Sequence, residues 1–243
     1  MTIATSVHTR LQKSDHVAEG TMAFHFVKPA GFDYQAGQSI DLTLLNPPET
    51  DAEGNTRTFT LASAPFDSDL MITTRMRDTA FKRVMGNASP GLEVKLEGPS
   101  GSFVLHRKVE RPAVFLAGGI GITPFLSIVR QAVHNKTAHQ LYLFYSNRRP
   151  EDTAFMEVLA EAAKRNPNFH LIPTMTHTED SHREWSGETG FIDKSMLMRY
   201  LPTIQGSIYY LAGPPAMVAA MRGMLADSGA DEDDIRTEEF SGY

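Results

Sequence analysis

The sequence predicts two domains, an antiparallel β-barrel over residues 1–108 followed by an α/β domain with a parallel sheet over residues 109–243. Three observations carry this expectation. Up to about His106, short β-rich runs alternate with turns; from Arg111 onward, a strand is followed by a helix, repeatedly; and between them Lys108 to Pro112 joins charge to a proline. The β-rich runs are Ala23 to Val27, Ser39 to Leu44, Arg57 to Ala62, Leu70 to Met76 and Glu93 to Glu97, with a helical stretch at Phe81 to Met85. In the second half the expected strands are Ala113 to Ala117, Gln140 to Tyr145, Phe169 to Met175 and Ser207 to Ala212. The helices expected with them are Pro124 to Val133, Glu151 to Lys164, Met196 to Leu201 and Ala216 to Ser228. Such alternation is the pattern of crossover helices on a parallel sheet.

Composition narrows the function. The 243 residues are 41% apolar and 21% charged, an ordinary globular balance that excludes disordered and collagen-like chains. There is no cysteine, which removes disulfides, zinc-thiolate sites, a cysteine nucleophile and any Cys-ligated iron-sulfur cluster within these residues. A net charge of −6 argues against a nucleic-acid binder, and it is uneven: Asp227 to Tyr243 carries seven acids against Arg236, so residues 1–226 are neutral overall. Pro112 to Val129 is an uncharged run of 18 residues, yet Gly118, Gly119, Gly121 and Pro124 interrupt it where a membrane helix needs continuous hydrogen bonding. With no secretory pattern at the first residues, a cytoplasmic enzyme is the expectation.

Two segments point to chemistry. Gly118-Gly119-Ile120-Gly121-Ile122-Thr123-Pro124 follows an apolar strand and opens a helix. Glycines there let backbone amides approach a pyrophosphate, and Thr123 and Pro124 suit the N-cap and first helical position. The usual dinucleotide fingerprint is absent, since Pro124 replaces the third glycine and Asn147-Arg148-Arg149, not an acid, follows the second strand. In Arg57-Thr58-Phe59-Thr60, Arg57 can neutralise a phosphate, Phe59 can cover a flat ring and Thr60 can bond a ring nitrogen, the alternative being a plain amphipathic strand. His177-Thr178-Glu179-Asp180-Ser181-His182 fits no metal-ligand spacing and reads as a solvated loop.

Together these segments resemble the ferredoxin-NADP reductase superfamily along nearly the whole chain. Arg57-Thr58-Phe59-Thr60 is similar to that family's Arg-x-Tyr-Ser/Thr flavin motif, and Gly98-Pro99-Ser100-Gly101-Ser102-Phe103 to its Gly-Pro-x-Gly-x-Phe element. Gly118 to Pro124 is similar to Gly-Gly-x-Gly-x-Thr-Pro, Tyr145-Ser146-Asn147-Arg148 to the second nucleotide loop, and Ala212-Gly213-Pro214-Pro215 to a Cys-Gly-Pro turn with alanine for cysteine. Glu239-Phe240 is similar to the terminal Glu-x-Phe region.

The resemblance implies an FAD-binding barrel, an NAD(P)-binding α/β domain and hydride transfer from NADPH or NADH to FAD. It implies catalytic roles for Thr60, Glu239 and Phe240, with Phe240 or Tyr243 over the flavin ring. Flavin contacts fall to Arg57, Thr58, Phe59, Thr60, Ile72, Thr73, Thr74, Arg75, Asp78, Thr79 and Ala80, and to Tyr243. Nucleotide contacts fall to Gly118, Gly119, Gly121, Ile122, Thr123, Pro124, Ser146, Asn147, Arg148, Gly213 and Pro214. Arg148 and Arg149 lean the preference to NADPH, although a Ser-Arg pair is missing at Thr176-His177. Electrons are expected to go to a separate carrier such as a ferredoxin or flavodoxin. A small acceptor (free flavin, quinone or ferric chelate) and a subunit role in an oxygenase-type complex are the alternatives. Arg75, Arg77, Lys82 and Arg83 form a candidate docking patch for an acidic carrier.

Overall fold

The computed structural model describes residues 5–240. The first half is a six-stranded antiparallel sheet, barrel-like but not closed, in the order β4-β3-β6-β1-β2-β5. Its strands are β1 (Thr5–Ala18), β2 (Thr21–Val27), β3 (Ser39–Leu44), β4 (Thr56–Thr60), β5 (Asp69–Arg75) and β6 (Glu93–Ser100), and helix α1 (Ala80–Gly86) lies between the last two. The expected strands are present, Ser39–Leu44 with the expected bounds and the others with an edge moved by a residue or more. β1 was not anticipated. It is long and largely polar, and it pairs with β6 through its first half and with β2 through its second, across an irregularity between Leu11 and Lys13. Its few apolar positions, such as Leu11, reach the core while much of the strand faces water. The barrel core gathers Phe24, Phe26, Ile40, Leu42, Leu70, Ile72 and Leu96.

The second half is a six-stranded parallel sheet in the order β10-β9-β8-β7-β11-β12. Chain order gives β7 (Ala113–Gly118), α2 (Ile122–His134), β8 (Leu141–Asn147), α3 (Met156–Arg165), β9 (Phe169–Met175), β10 (Glu188–Thr189), α4 (Lys194–Tyr200), β11 (Ile208–Gly213), α5 (Pro215–Asp227) and β12 (Ile235–Glu239). The central strands β7 and β11 are buried throughout, as a parallel sheet covered on both faces requires. Alternation along β7 splits the core. Ala113, Phe115 and Ala117 face α2 and α3, whereas Val114 and Leu116 face α4 and α5. The uncharged run at Pro112 to Val129 is thus a strand, a turn and a helix, and no helix among the described residues is long and apolar enough to cross a membrane.

Helix α3 starts later than the Glu151 of the sequence expectation. A 3-10 turn at Pro150–Asp152 precedes it, and Phe155 sits at φ 61°, a left-handed conformation in which a regular helix cannot continue. The two halves share one core: Ala23, Ala62, Met71 and Phe103 of the first pack in the cluster that α2 caps. Polar bonds fix the joint. Ser127 Oγ donates to Ser63 O at 2.6 Å, Arg130 Nη2 to Asp67 Oδ1 at 2.8 Å, Arg149 Nη2 to Glu19 Oε2 at 2.9 Å, and the His106 backbone amide to Tyr210 Oη at 2.8 Å.

Candidate active site

A cleft of about 380 Å³ lies where the two halves meet, within the range of small-molecule sites. Strand β4 supplies Arg57, Thr58, Phe59 and Thr60, and β5 supplies Thr73, Thr74 and Arg75. Arg77, Thr79 and Lys82 close the α1 side, while Ile120, Thr123 and Phe240 come from the other domain. Phe59 also packs against Phe81, ring centroids 5.8 Å apart. Behind the wall, Thr60 Oγ1 donates to Glu238 Oε1 at 3.1 Å. The second oxygen of Glu238 is buried with no hydrogen-bond partner. Burial pushes this carboxyl up to about 7, and the Thr60 bond opposes it only in part.

Glu239 was the expected acid, but the carboxylate the structure brings to Thr60 is that of Glu238. On β12, Glu238 pairs in register with Ala212 and Glu239 with Gly213; alternation turns the first inward and leaves the second exposed. The Glu-x-Phe spacing, counted back from Phe240, lands on Glu238. Phe240 itself lines the cleft and donates its backbone N–H to Gly213 O at 3.0 Å. Tyr243 lies outside the described residues.

Three further flavin positions stand apart from the cleft wall. Ile72 is fully buried in the barrel core, because on β5 it faces opposite to Thr73. Asp78 is exposed and ion-paired with Arg83. Ala80 is buried and gives its backbone N–H to Asp51 Oδ2 at 3.0 Å. The proposed docking patch also shrinks. Arg83 is held by Glu49, Nε to Oε1 at 3.0 Å, as well as by Asp78, and Lys82 Nζ donates to Arg75 O at 2.7 Å inside the cleft wall. Arg75, Arg77 and Lys82 therefore line the cleft, and the rim carries no four-cation patch.

A second cleft, about 820 Å³, opens beside the first and shares Arg75 and Arg77 with it. Its polar side holds Gly118, Gly119, Ser146, Asn147, Arg148, Asp152 and Thr176, and its apolar side Ile192, Pro214, Met217 and Met221, with Phe191 exposed at the edge. Gly121, Ile122, Pro124 and Gly213 lie behind the wall, not in it. Glycine is needed in the turn. A Cβ on Gly118 would come within 2.1 Å of Met217 Sδ, and one on Gly121 within 2.2 Å of Ala212 O. Thr123 is not the N-cap. The helix begins at Ile122 with Gly121 before it, and Thr123 Oγ1 donates to Ile120 O at 3.2 Å. Pro124 then falls in the first turn, where its missing N–H is tolerated.

Unpartnered polar groups test what these clefts suit. Thr73 Oγ1 in the first cleft, and both ends of the Asn147 carboxamide in the second, are buried without a hydrogen-bond partner. Buried polar groups are almost always bonded, so these fit a bound polar ligand. With Arg57, Arg75 and Arg77 nearby, the first cleft fits a flavin dinucleotide and the second a pyridine nucleotide. Arg148 is exposed and makes no ion pair among the described residues; Arg149 is turned away, with Nε 3.1 Å from Asp152 Oδ2 and Nη2 2.9 Å from Glu19 Oε2. Sequence reasoning missed Glu238, Asp152, Phe191, Met217 and Met221. Only Glu238 had a readable signal, its spacing from Phe240.

Residues 115–223 match the family described as the oxidoreductase NAD-binding domain. The chain is 28% identical over 217 residues to the phenol hydroxylase P5 protein of Acinetobacter pittii, covering 86% of this chain and 58% of that protein. It is 26% identical over 239 residues to the propane 2-monooxygenase reductase component of Rhodococcus jostii, covering 97% of this chain and 64% of that protein. The chain thus spans about three fifths of the length of these relatives. The fold matches the flavohem-like FAD/NAD binding domain of nitric oxide dioxygenase from Vibrio cholerae, with a TM-score of 0.83, 21% identity, and coverage of 96% of this chain and 98% of that one.

Proposed function

We propose that this chain, a ferredoxin-NADP reductase-like oxidoreductase whose residues 115–223 form the NAD-binding domain, takes electrons from NAD(P)H and passes them through FAD to a separate protein of an oxygenase-type system. The observation that carries this reading is the pair of clefts meeting at Arg75 and Arg77, one lined by Thr60 with Glu238 bonded behind it and the other by the Gly118-Gly119 turn. The names of the phenol hydroxylase and propane 2-monooxygenase relatives favour an oxygenase partner over a ferredoxin, a flavodoxin or a small acceptor.

When bound, FAD supplies the conversion from hydride transfer to single-electron release. The chain's own residues bind, orient and handle protons. Arg57 and Arg75 carry positive charge to the diphosphate, Thr73 offers a hydroxyl, and Phe240 covers the cleft from the second domain. The Gly118-Gly119 turn and the start of α2 bring backbone close to a nucleotide phosphate, and Asn147 offers its carboxamide. Thr60 fixes Glu238, a carboxyl that titrates near neutrality and so holds or yields a proton at Oε2.

The test is a titration of FAD-loaded protein with NADPH and NADH without oxygen, followed by mixing with candidate acceptors. Bleaching of the flavin spectrum and faster reoxidation by a purified oxygenase component than by ferredoxin, flavodoxin, quinone or ferric chelate support the reading. A protein that binds no flavin, or whose flavin no pyridine nucleotide reduces, sinks it.

A further inference from the structure

The loop between β3 and β4 carries three acids, Glu49, Asp51 and Glu53, and all three are engaged with the corner that forms the phosphate end of the first cleft. Arg57 is the centre of this arrangement. Its Nη2 donates to Glu53 Oε2 at 2.8 Å and lies 3.4 Å from Asp51 Oδ1, while its Nη1 donates to the carbonyls of Glu53, Gly54 and Thr56 at 2.8 to 3.0 Å. Asp51 uses its other oxygen on the Ala80 amide at 3.0 Å, and Glu49 grips Arg83 of α1. Glu53 reaches the cleft wall itself.

These contacts conflict with the use of Arg57 as a phosphate ligand. A guanidinium has five N–H donors, and here the loop's carboxylates and carbonyls occupy its forked ends. Meanwhile Arg77, exposed at the same cleft, makes no ion pair among the described residues. The loop's two feet sit in left-handed backbone, Asn46 at φ 45° and Gly54 at φ 73°, positions where a few dihedrals can redirect the segment between them.

We propose that the β3–β4 loop is a latch: Asp51 and Glu53 stand in for the anion on Arg57, and a dinucleotide's diphosphate must displace them to bind. This rests on the flavin reading of the first cleft but concerns the loop. Binding becomes an exchange of one anion for another, so the loop lowers affinity and slows capture, and releases as the cofactor seats.

The chain has no cysteine, which permits a clean test. Flavin-free Asp51→Asn/Glu53→Gln protein, mixed with FAD in a stopped-flow fluorimeter, should capture it about 10-fold faster and bind it about 10-fold more tightly than the parent. That is roughly 1.4 kcal/mol in affinity. Glu157→Gln/Glu161→Gln on α3 changes net charge equally away from the cleft and should bind as the parent does. Weaker or unchanged binding in the loop variant overturns the latch, because the acids would then be holding Arg57 ready. Ala52→Cys, labelled with an environment-sensitive dye, reports the loop without removing an acid; its signal should change on adding inorganic pyrophosphate, and a static signal overturns the proposal. Pyrophosphate needs the cradle but no flavin site, so it separates failure of the latch from failure of the flavin reading.

Discussion

Replacing Glu238 by glutamine tests the group bonded to Thr60 behind the cleft wall most directly. Glutamine keeps the shape and an oxygen that can accept from Thr60, but it cannot ionise. In the folded chain the carboxyl is raised from 4.5 to about 7, chiefly by burial. The unfolded chain therefore releases its proton first as pH rises. Its contribution to stability is full below about 4.5 and is lost as pH climbs through about 7. With these two values the loss grows from about 1 kcal/mol at pH 5 to about 3 kcal/mol at pH 8. The Glu238→Gln protein should lack that loss. Thermal melts of both flavin-free proteins, recorded from pH 5 to pH 8, read the difference: the variant's Tm should gain on the parent's by about 5–10 °C across the range, at roughly 2–4 °C per kcal/mol for a chain of this size. Comparison at each pH cancels every other titrating group. A gap that stays constant from pH 5 to pH 8 would falsify the reasoning, since Glu238 would then be charged in both states or in neither.

Three other substitutions probe the second cleft and the domain joint. Gly121→Ala places a methyl 2.2 Å from Ala212 O, backbone that must move, so the melt should fall by about 1–3 kcal/mol in stability and NAD(P)H reduction should slow; a normal melt refutes the close approach. Arg148→Ser removes an unpaired cation of the second cleft and should lower the ratio of kcat/KM for NADPH over NADH by about 10-fold, the worth of one charge-assisted bond; an unchanged ratio removes Arg148 from phosphate recognition. His106→Leu deletes the imidazole bonds to Tyr210 Oη at 3.0 Å and Arg111 O at 3.0 Å and should cost about 1–3 kcal/mol near pH 7. Burial holds this imidazole below its ordinary 6.5, so the parent loses stability as pH falls through that value, when the unfolded chain takes up the proton first; the variant should lose less.

The two sheets were legible because their periods differ, and each core strand carries its own apolar run. Ala113 to Ala117 reads as a buried parallel strand without any partner known. The strands that were missed depend on partners. β1 is too polar to stand out and is defined by two neighbours at once, β6 and β2. β12 reads as an acidic tail, Ile235-Arg236-Thr237-Glu238-Glu239, and is a strand only because β11 offers an edge. Of the cleft-lining segments, the glycine turn and Arg57 to Thr60 stood out in the sequence because glycine, arginine and threonine carry their chemistry locally. The choice between Glu238 and Glu239 was not local: it follows from the register of β12, which sequence spacing only hinted at. The acidic loop left no signal, since its carboxylates read as solvated until α1 and β4 are brought beside it.

That dependence on register has a consequence for function. Thr60 belongs to the first domain and Glu238 to the last strand of the second, so their hydrogen bond exists only while the domains stay packed. The joint is tied at several separated places. Tyr210 Oη receives the His106 amide and an Arg236 N–H at 3.1 Å, and lies 3.2 Å from Val104 O. Arg236 lies two residues before Glu238 on β12, and its Nη1 also donates to Val104 O at 2.9 Å. By strand alternation the two side chains share a face. The contact that pins β12 to the barrel side therefore also sets the depth of Glu238. Loosening the joint lets water reach the carboxyl, and a hydrated Glu238 returns toward its ordinary range. Domain packing and the proton affinity of the site are thus one quantity in this fold. Arg236→Gln, which touches neither cleft, should accordingly lower the pH at which the Glu238 contribution to stability is lost. An Arg236→Gln melt profile whose loss of stability still levels off only near pH 7 would break the link.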